Sequence, residues 1–294
     1  AISTGSINCS PVIPNRFKDN AGSFAPPSDA NANKKVLNYI CSPDLFYYCT
    51  NGNNMQVNGV FFGSGRVNGI VGYDYLDYGL RGRIPPHLFY PISNATDLSY
   101  TFYRMPLLNP YKWNVTNGED GEFYSADTFS KLTKLISLSN MFYSCIIPAH
   151  INLPIDSYVN CIQLQDISSM FLAAQFESTS AMRQQVDGNL FNKNVNLRNI
   201  SYAFASGQTV GDWLDRSPKK INSTLFNVDK HKRLTNVTGL FYNAVSTVGS
   251  VPEFWNWLNT LSASNRANVF YKMKKSNISN SASIPTNWAN GMTD

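Results

Sequence analysis

The chain has 294 residues, of which 43% are hydrophobic and 15% charged, with a formal net charge of +5. That apolar content can bury the core of one or two ordinary domains or of one repeat array. The charge content, well below the roughly 25% of an average soluble domain, argues for a rigid extracellular or particle-bound protein over a cytosolic enzyme.

Residues 1–42 read as an irregular N-terminal capping segment. Its stretch "VIPNRFKDNAGSFAPPSDANANKK" holds one candidate core anchor, Phe17, in a long Pro/Ala/Asn loop. The chain opens at Ala1 with neither Met nor a signal segment, which suggests a mature form or an excised piece. The five cysteines, Cys9, Cys41, Cys49, Cys145 and Cys161, are odd in number and lack a CxxC pair. They signal neither a zinc site nor a dense disulfide framework. Cys41 with Cys49, and Cys145 with Cys161, are the conceivable bridges, and buried free thiols are the preferred reading. No run of 18 apolar residues occurs, so no membrane insertion is expected.

From residue 43 to residue 250 an eight-residue unit recurs six times. The copies are "NMQVNGVF" (Asn54–Phe61), "ATDLSYTF" (Ala95–Phe102), "LISLSNMF" (Leu135–Phe142), "LQDISSMF" (Leu164–Phe171), "LRNISYAF" (Leu197–Phe204) and "LTNVTGLF" (Leu234–Phe241). Position four is always Val, Leu or Ile, position five always Asn, Ser or Thr, and position eight always Phe. Apolar residues at one and four fit a very short strand facing a core. The polar residue at five is expected to cap a helical turn, since its side-chain oxygen accepts a backbone N–H two or three residues on. Positions seven and eight then fall in the first turn of a short helix.

An aromatic anchor precedes each copy: Phe46, Phe89, Phe129, Tyr158, Phe191 and Phe226. It lies 13 residues before the later Phe in four copies and 15 before it in the first and last. Pro or Ser ahead of the anchor suits a helix start. Successive final Phe residues are 29 to 41 residues apart, and the variation sits in links such as "RMPLLNPYKWNVTNGEDGEFY". A constant small unit on variable loops is the mark of a stacked repeat protein, because one unit cannot bury its own apolar face. Residues 251–294 read as a C-terminal cap with a short amphipathic helix around Phe254–Leu261. A degenerate seventh copy, "RANVF", follows, and Trp255, Trp257 and Trp288 are expected to close the end of the core.

The units "IPPHLF…DLSYTF" and "KINSTLF…RLTNVTGLF" resemble the BspA-type leucine-rich repeats of surface proteins, and the "S-x-M-F" spelling is nearest the variant with "MF" repeats. The tail "VPEFW…VFYKM…ASIPTNWAN" resembles the ending of such arrays in gut Bacteroidales and in the phages that infect them. The likeness covers roughly residues 43 to 294 and departs in two respects. The usual Cys after "F-x-x" is present only as Cys145, and the repeats are longer than the family's, which suggests protruding loops. The resemblance implies an α/β repeat solenoid, a leucine-rich-repeat-like right-handed coil with short parallel strands and short helical turns. It also implies adhesion or receptor recognition without catalysis.

Convergent chemistry is sparse. His87, His150 and His231 are isolated and match no ligand spacing. "GSGRVNG" (Gly63–Gly69) lacks the spacing and the Lys-Ser/Thr ending of a phosphate loop. The acids Glu119, Asp120 and Glu122, the pair Asp74 and Asp77, and the pair Asp212 and Asp215 recur at no constant repeat position, as a glycosidase built along one face would require. They carry no D-x-D-x-D-G calcium signal either. Seven N-x-S/T triplets occur, several inside the repeat, where capping explains the Ser or Thr. Lys219–Lys220, Lys230–Arg233 and Lys272–Lys275 are short basic runs that read as solvated loops, so a nucleic-acid partner is not expected.

No catalytic, metal or cofactor residue is therefore assigned. The expectation is a recognition or adhesion module outside a cell, on a phage virion or a bacterial surface, with composition and ending leaning toward the virion. Its partner would be a protein receptor or a surface glycan, or other virion or surface proteins. Binding residues would lie in the irregular links, since loops on a rigid frame carry function. The Tyr-rich "GYDYLDYG" (Gly72–Gly79) would either stack on a ligand or fill space between coils. The alternatives are a purely architectural subunit and, third, a polysaccharide-degrading enzyme.

Overall fold

The computed structural model describes residues 46, 55–56, 84, 86–103, 124, 126–147, 153, 156–176, 186–206 and 220–294. The N-terminal segment with Phe17 and most of the first copy lie outside the described residues. Within them, the pattern of apolar spacing becomes a pattern of burial. Positions one and four are inside in every described copy: Ala95 and Leu98, Leu135 and Leu138, Leu164 and Ile167, Leu197 and Ile200, Leu234 and Val237.

Between these two inward positions the backbone pairs sideways. The strand β1 (Met55–Gln56) runs parallel to β2 (Ala95–Asp97). The ladder then continues as single parallel bridges from Asp97 to Ser137, Asp166, Asn199 and Asn236, always at position three. The carbonyl of position two accepts two amides from the next copy: Thr96 O takes those of Ile136 (2.8 Å) and Ser137 (3.2 Å). Ile136, Gln165 and Arg198 carbonyls repeat this arrangement. Two further parallel pairs lie outside this ladder, β3 (Ile146–Ile147) with β4 (Gln175–Phe176) and β5 (Lys220–Ile221) with β6 (Val248–Gly249).

The segment after position five departs from the helical turn expected there. Position six (Tyr100, Asn140, Ser169, Tyr202, Gly239) has φ between 54° and 61°. A left-handed residue ends any right-handed helix, at about 1–2 kcal/mol for a side chain other than glycine. Lateral hydrogen bonds offset that strain. Alternate amides close tight turns within a copy, as Met170 N to Ile167 O (3.1 Å) and Leu172 N to Ser169 O (3.1 Å). The amides between them reach the next copy, as Ser169 N to Ser201 O (2.8 Å) and Phe171 N to Ala203 O (2.9 Å). Within the described copies helical geometry occurs instead as short 3-10 turns near the upstream anchors, Tyr90–Ile92, Ala126–Phe129 and Ser223–Leu225.

Two columns of aromatic rings fill the core. The position-eight rings stack from Phe102 through Phe142, Phe171, Phe204 and Phe241 to Phe270, with centroids 5.4–6.2 Å apart. The anchors form the second column, from Phe46 through Phe89, Phe129, Tyr158, Phe191 and Phe226 to Phe254 and Trp288, at 5.2–6.2 Å. The two repeated aromatics of each copy thus find their own kind above and below, at the offset spacing that favours ring pairs.

A third buried column is polar. The residue three before position one is Ile92 or Leu132 in the earlier copies but Cys161, Asn194 and His231 in the later ones, all buried. Each of these three donates to the carbonyl of the anchor one copy earlier. Cys161 Sγ reaches Phe129 O (3.7 Å), Asn194 Nδ2 reaches Tyr158 O (2.9 Å), and His231 Nε2 reaches Phe191 O (3.1 Å). These carbonyls already accept an amide within their own anchor turn, Leu132 N to Phe129 O (3.0 Å), Cys161 N to Tyr158 O (3.0 Å) and Asn194 N to Phe191 O (2.9 Å), so the side chains fill the second lone pair and tie one copy to the next.

His231 makes this arrangement pH-dependent. Its Nδ1 accepts the Asn227 N–H (3.1 Å), so the proton sits on Nε2 and the ring is neutral. Burial holds its pKa below the usual histidine value, with Lys230 adding in the same direction against the two backbone hydrogen bonds. The unfolded chain therefore binds a proton near pH 6.5 that the folded chain refuses. Stability is full above that pH and falls as pH drops through it, by at most about 1.4 kcal/mol per pH unit. Chemical denaturation at pH 7.5 and 5.0 should show this loss, and His231→Asn, which copies the residue at position 194, should diminish it. An unaltered pH slope in the variant would place the titration elsewhere.

At the C-terminal end, the helix expected around Phe254–Leu261 is a single 3-10 turn, Phe254–Asn256. Trp257, at φ −139°, turns the chain out of helical geometry. Trp288 is buried against Phe254, and Trp255 and Trp257 pack partly buried on the core. "RANVF" continues the lateral hydrogen bonding: Gly239 N reaches Ala267 O (2.8 Å) and Phe241 N reaches Val269 O (2.9 Å). Arg266 stands there in place of an inward aliphatic, with its guanidinium 5.7 Å from the Trp288 ring centre.

Candidate functional site

Two outward surfaces follow from this packing. The first is the ladder itself. Position three turns its side chain back to accept the N–H of position five: Asp97 Oδ1 from Ser99 (2.8 Å), Ser137 Oγ from Ser139 (3.2 Å), Asp166 Oδ1 from Ser168 (2.7 Å), Asn199 Oδ1 from Ser201 (3.2 Å), Asn236 Oδ1 from Thr238 (3.0 Å). The cap is therefore position three, not position five as expected. Position five bonds sideways instead, as Ser99 Oγ with Ser137 Oγ (2.8 Å) and Thr238 Oγ1 to Ser264 O (2.7 Å). The reason is geometric. Position three pairs its backbone in the ladder and points its side chain away from the core, so a short Asp, Asn or Ser can close an Asx-type turn.

The second surface is the stretch from each upstream anchor to position two. Its inward residues are the polar column and position one, and the residues between them face out. Lys131, Lys134, Lys193, Arg198, Lys232 and Arg233 are exposed there, with the aliphatic side chains Ile162 and Val195 at 54% and 46% exposure among them. Neighbouring copies are tied across this surface by amides. Lys134 Nζ donates to Asn94 Oδ1 (2.9 Å), Asn196 Nδ2 to Ile162 O (2.7 Å), Arg233 Nη1 to Asn196 Oδ1 (2.5 Å), and Asn160 Nδ2 to Ser130 O (3.0 Å). Among the described residues, the six cations meet no carboxylate within 4 Å; the one ion pair there is Lys275 with Asp294.

Tyrosines mark where the links leave the frame. Tyr103 stacks on Tyr143 (4.6 Å) and Tyr242 on Tyr271 (4.8 Å), at the position following the buried Phe. A depression of about 40 Å³ between Asp156, Val159, Asn189, Leu190, Asn192 and Lys193 has room for about one water molecule.

Among the described residues, those singled out in the sequence for chemistry do not converge. His87 is exposed, with its ring centre 4.4 Å from that of Tyr90, and His231 is buried in the polar column. Cys145 and Cys161 are free buried thiols. Cys145 Sγ donates to Phe102 O (2.8 Å), and burial pushes the Cys161 thiol up to about 12, which keeps it protonated. The Tyr124 and Tyr158 hydroxyls pair at 2.7 Å in the core, and burial, with Tyr124 beside it, raises the Tyr158 pKa well above its usual value. His150, Cys9, Cys41, Cys49, the Gly63–Gly69 and Gly72–Gly79 stretches, and the acids Asp74, Asp77, Glu119, Asp120, Glu122, Asp212 and Asp215 lie outside the described residues. Among the described residues, no three His, Cys, Asp or Glu side chains meet as metal ligands, and no helix is long and apolar enough to cross a membrane.

No family model matches the chain, and no curated protein matches it in sequence.

Proposed function

We propose that the chain is a non-catalytic recognition module built on a leucine-rich-repeat-like right-handed solenoid and displayed outside the cell, on a phage virion or a bacterial surface. The observation that carries this reading is the contrast between frame and links. The frame is over-determined: each copy is fixed to the next by the position-three bridges, by lateral amides and by two ring columns. The links vary in length between copies that otherwise keep their register. A rigid scaffold bearing variable loops is the common arrangement of recognition proteins. The resemblance to BspA-type repeats supports the same reading. Stacked tyrosines at the exits, Tyr103 with Tyr143 above all, give those loops a firm base.

The test is a glycan and host-surface protein array probed with the chain and with a variant whose residues 104–123 are replaced by a Gly/Ser segment of equal length. Specific binding that the replacement abolishes, with the melting temperature kept within a few degrees, is the expected result. Release of reducing sugar from host capsule would overturn the non-catalytic assignment. A chain that binds nothing on either array would favour a purely architectural subunit.

A further inference from the structure

The basic residues of this chain are not distributed evenly over its surface. From the upstream anchor to position two, the described copies read "FYPISNAT", "FSKLTKLI", "YVNCIQLQ", "FNKNVNLR" and "FNVDKHKRLT". These stretches hold seven Lys or Arg and a single acid, Asp229, in a chain whose totals are 24 and 19. In sequence they are separate short runs. The ladder stacks them into one surface, because the bridges at Ser137, Asp166, Asn199 and Asn236 put consecutive copies side by side. At the usual spacing of paired strands, the copies bearing Lys134 and Arg233 are roughly 14 Å apart. Lys134 and Arg233 rest on the neutral amides of Asn94 and Asn196, so their charge stays unneutralised and is held in place.

We propose that this surface binds a linear acidic polysaccharide along the direction in which the copies stack. This goes beyond the recognition reading above, whose binding residues lie in the links, by placing a ligand class on the frame itself. The stretch "YVNCIQLQ" between the basic ones, with Val195 of the next copy, supplies what a sugar chain needs besides charge. Gln163 and Asn160 offer amide donors and acceptors, and the exposed Ile162 and Val195 offer aliphatic contact for the apolar faces of sugar rings. Single-stranded nucleic acid is a poorer fit, since it is held by aromatic side chains on which bases stack. Among the described residues of these stretches, Tyr90 is the aromatic ring not fully buried, and it lies half-buried under Lys131 Nζ, 5.6 Å from the ring centre.

The experiment is calorimetric or thermophoretic titration of the full chain at 50 mM and 500 mM NaCl with three probes: a polygalacturonate oligosaccharide, a neutral dextran of equal length and an oligo-dT of equal charge. Polygalacturonate is expected to bind at low salt, at least tenfold tighter than dextran or oligo-dT, and to weaken at least tenfold at 500 mM as the screening length shortens. The variant Lys134→Gln/Arg198→Gln/Arg233→Gln should lose at least tenfold in affinity. Lys274→Gln/Lys275→Gln, at the C-terminal end, should bind as the parent does. All the altered residues are exposed, so both variants should keep the parent melting temperature. No polygalacturonate binding at low salt, equal loss in both variants, or tighter binding of oligo-dT would each overturn the proposal. Binding of a neutral glycan through the links, without polygalacturonate binding, would overturn it while leaving the recognition reading standing.

Discussion

Ile200→Asp is expected to unfold the stack around it, whereas Arg198→Asp, two residues earlier, should leave stability within about 0.5 kcal/mol of the parent. Ile200 has no exposed surface and sits at position four between Ile167 and Val237. Its amide is already used by Asn236 O and its carbonyl by the Ala203 amide. A carboxylate there would have no cation or free donor to meet. It must shed its hydration or take up a proton, and either route costs several kcal/mol. Set against the 5–15 kcal/mol of a typical domain, this is enough to open the neighbouring copies as well, since each holds the next through the same ladder. Thermal denaturation followed by circular dichroism would show the melting temperature of Ile200→Asp falling by about 10 °C or more, with that of Arg198→Asp near the parent's. Limited proteolysis should cut first in residues 164–241 of the Ile200 variant. A variant that melts with the parent would mean that position four faces outward.

How far the sequence foretells such results depends on how local the cause is. Burial at positions one, four and eight and at the anchors was legible, because an apolar residue repeated at constant spacing has one physical reason to recur. The cap at position three was equally visible, as Asp97, Ser137, Asp166, Asn199 and Asn236, but it competes with an equally polar position five. Only the direction of the side chain, set by the bridge, decides between them. The left-handed residue at position six has a weaker signal. Gly239 and Asn140 suit that conformation, yet Tyr100 and Tyr202 adopt it too because lateral hydrogen bonds impose it. Asn194 and His231 are polar, and sequence logic sends them to solvent. They are accommodated inside because each meets polar partners there, among them the second lone pair of a carbonyl in the previous copy. The basic surface is the least legible feature of all. Its residues lie as much as 102 positions apart, from Lys131 to Arg233, and only the stacking of copies makes them neighbours.

The same logic separates two glycines that look alike in sequence, and Gly249→Ala is expected to be the more damaging change by a wide margin. Gly249 closes β6 against β5 at φ 117°, a conformation that side chains rarely adopt. A Cβ at this site would stand 2.2 Å from the carbonyl oxygen of Ile221, which is backbone and cannot swing aside. Relief requires the two strands to part. That would loosen the Ser279 amide's bond to Gly249 O (2.8 Å) and the bridge from Gly249 to Ile278, which tie the C-terminal segment to the rest. Backbone strain of about 1–3 kcal/mol therefore adds to the lost pairing, for a total of about 3 kcal/mol or more. Gly239 has φ 58°, the value that Tyr100 and Asn140 accept in the same column. A Cβ there meets the Tyr202 ring at 2.2 Å, but this is a half-buried side chain packed on Tyr242, which can shift where backbone cannot. Gly239→Ala should thus lose only about 1 kcal/mol. Equilibrium denaturation of the two variants side by side measures the difference. Equal losses would mean that the Ile221 carbonyl can move, and that β5 and β6 are not what holds the C-terminal segment in place.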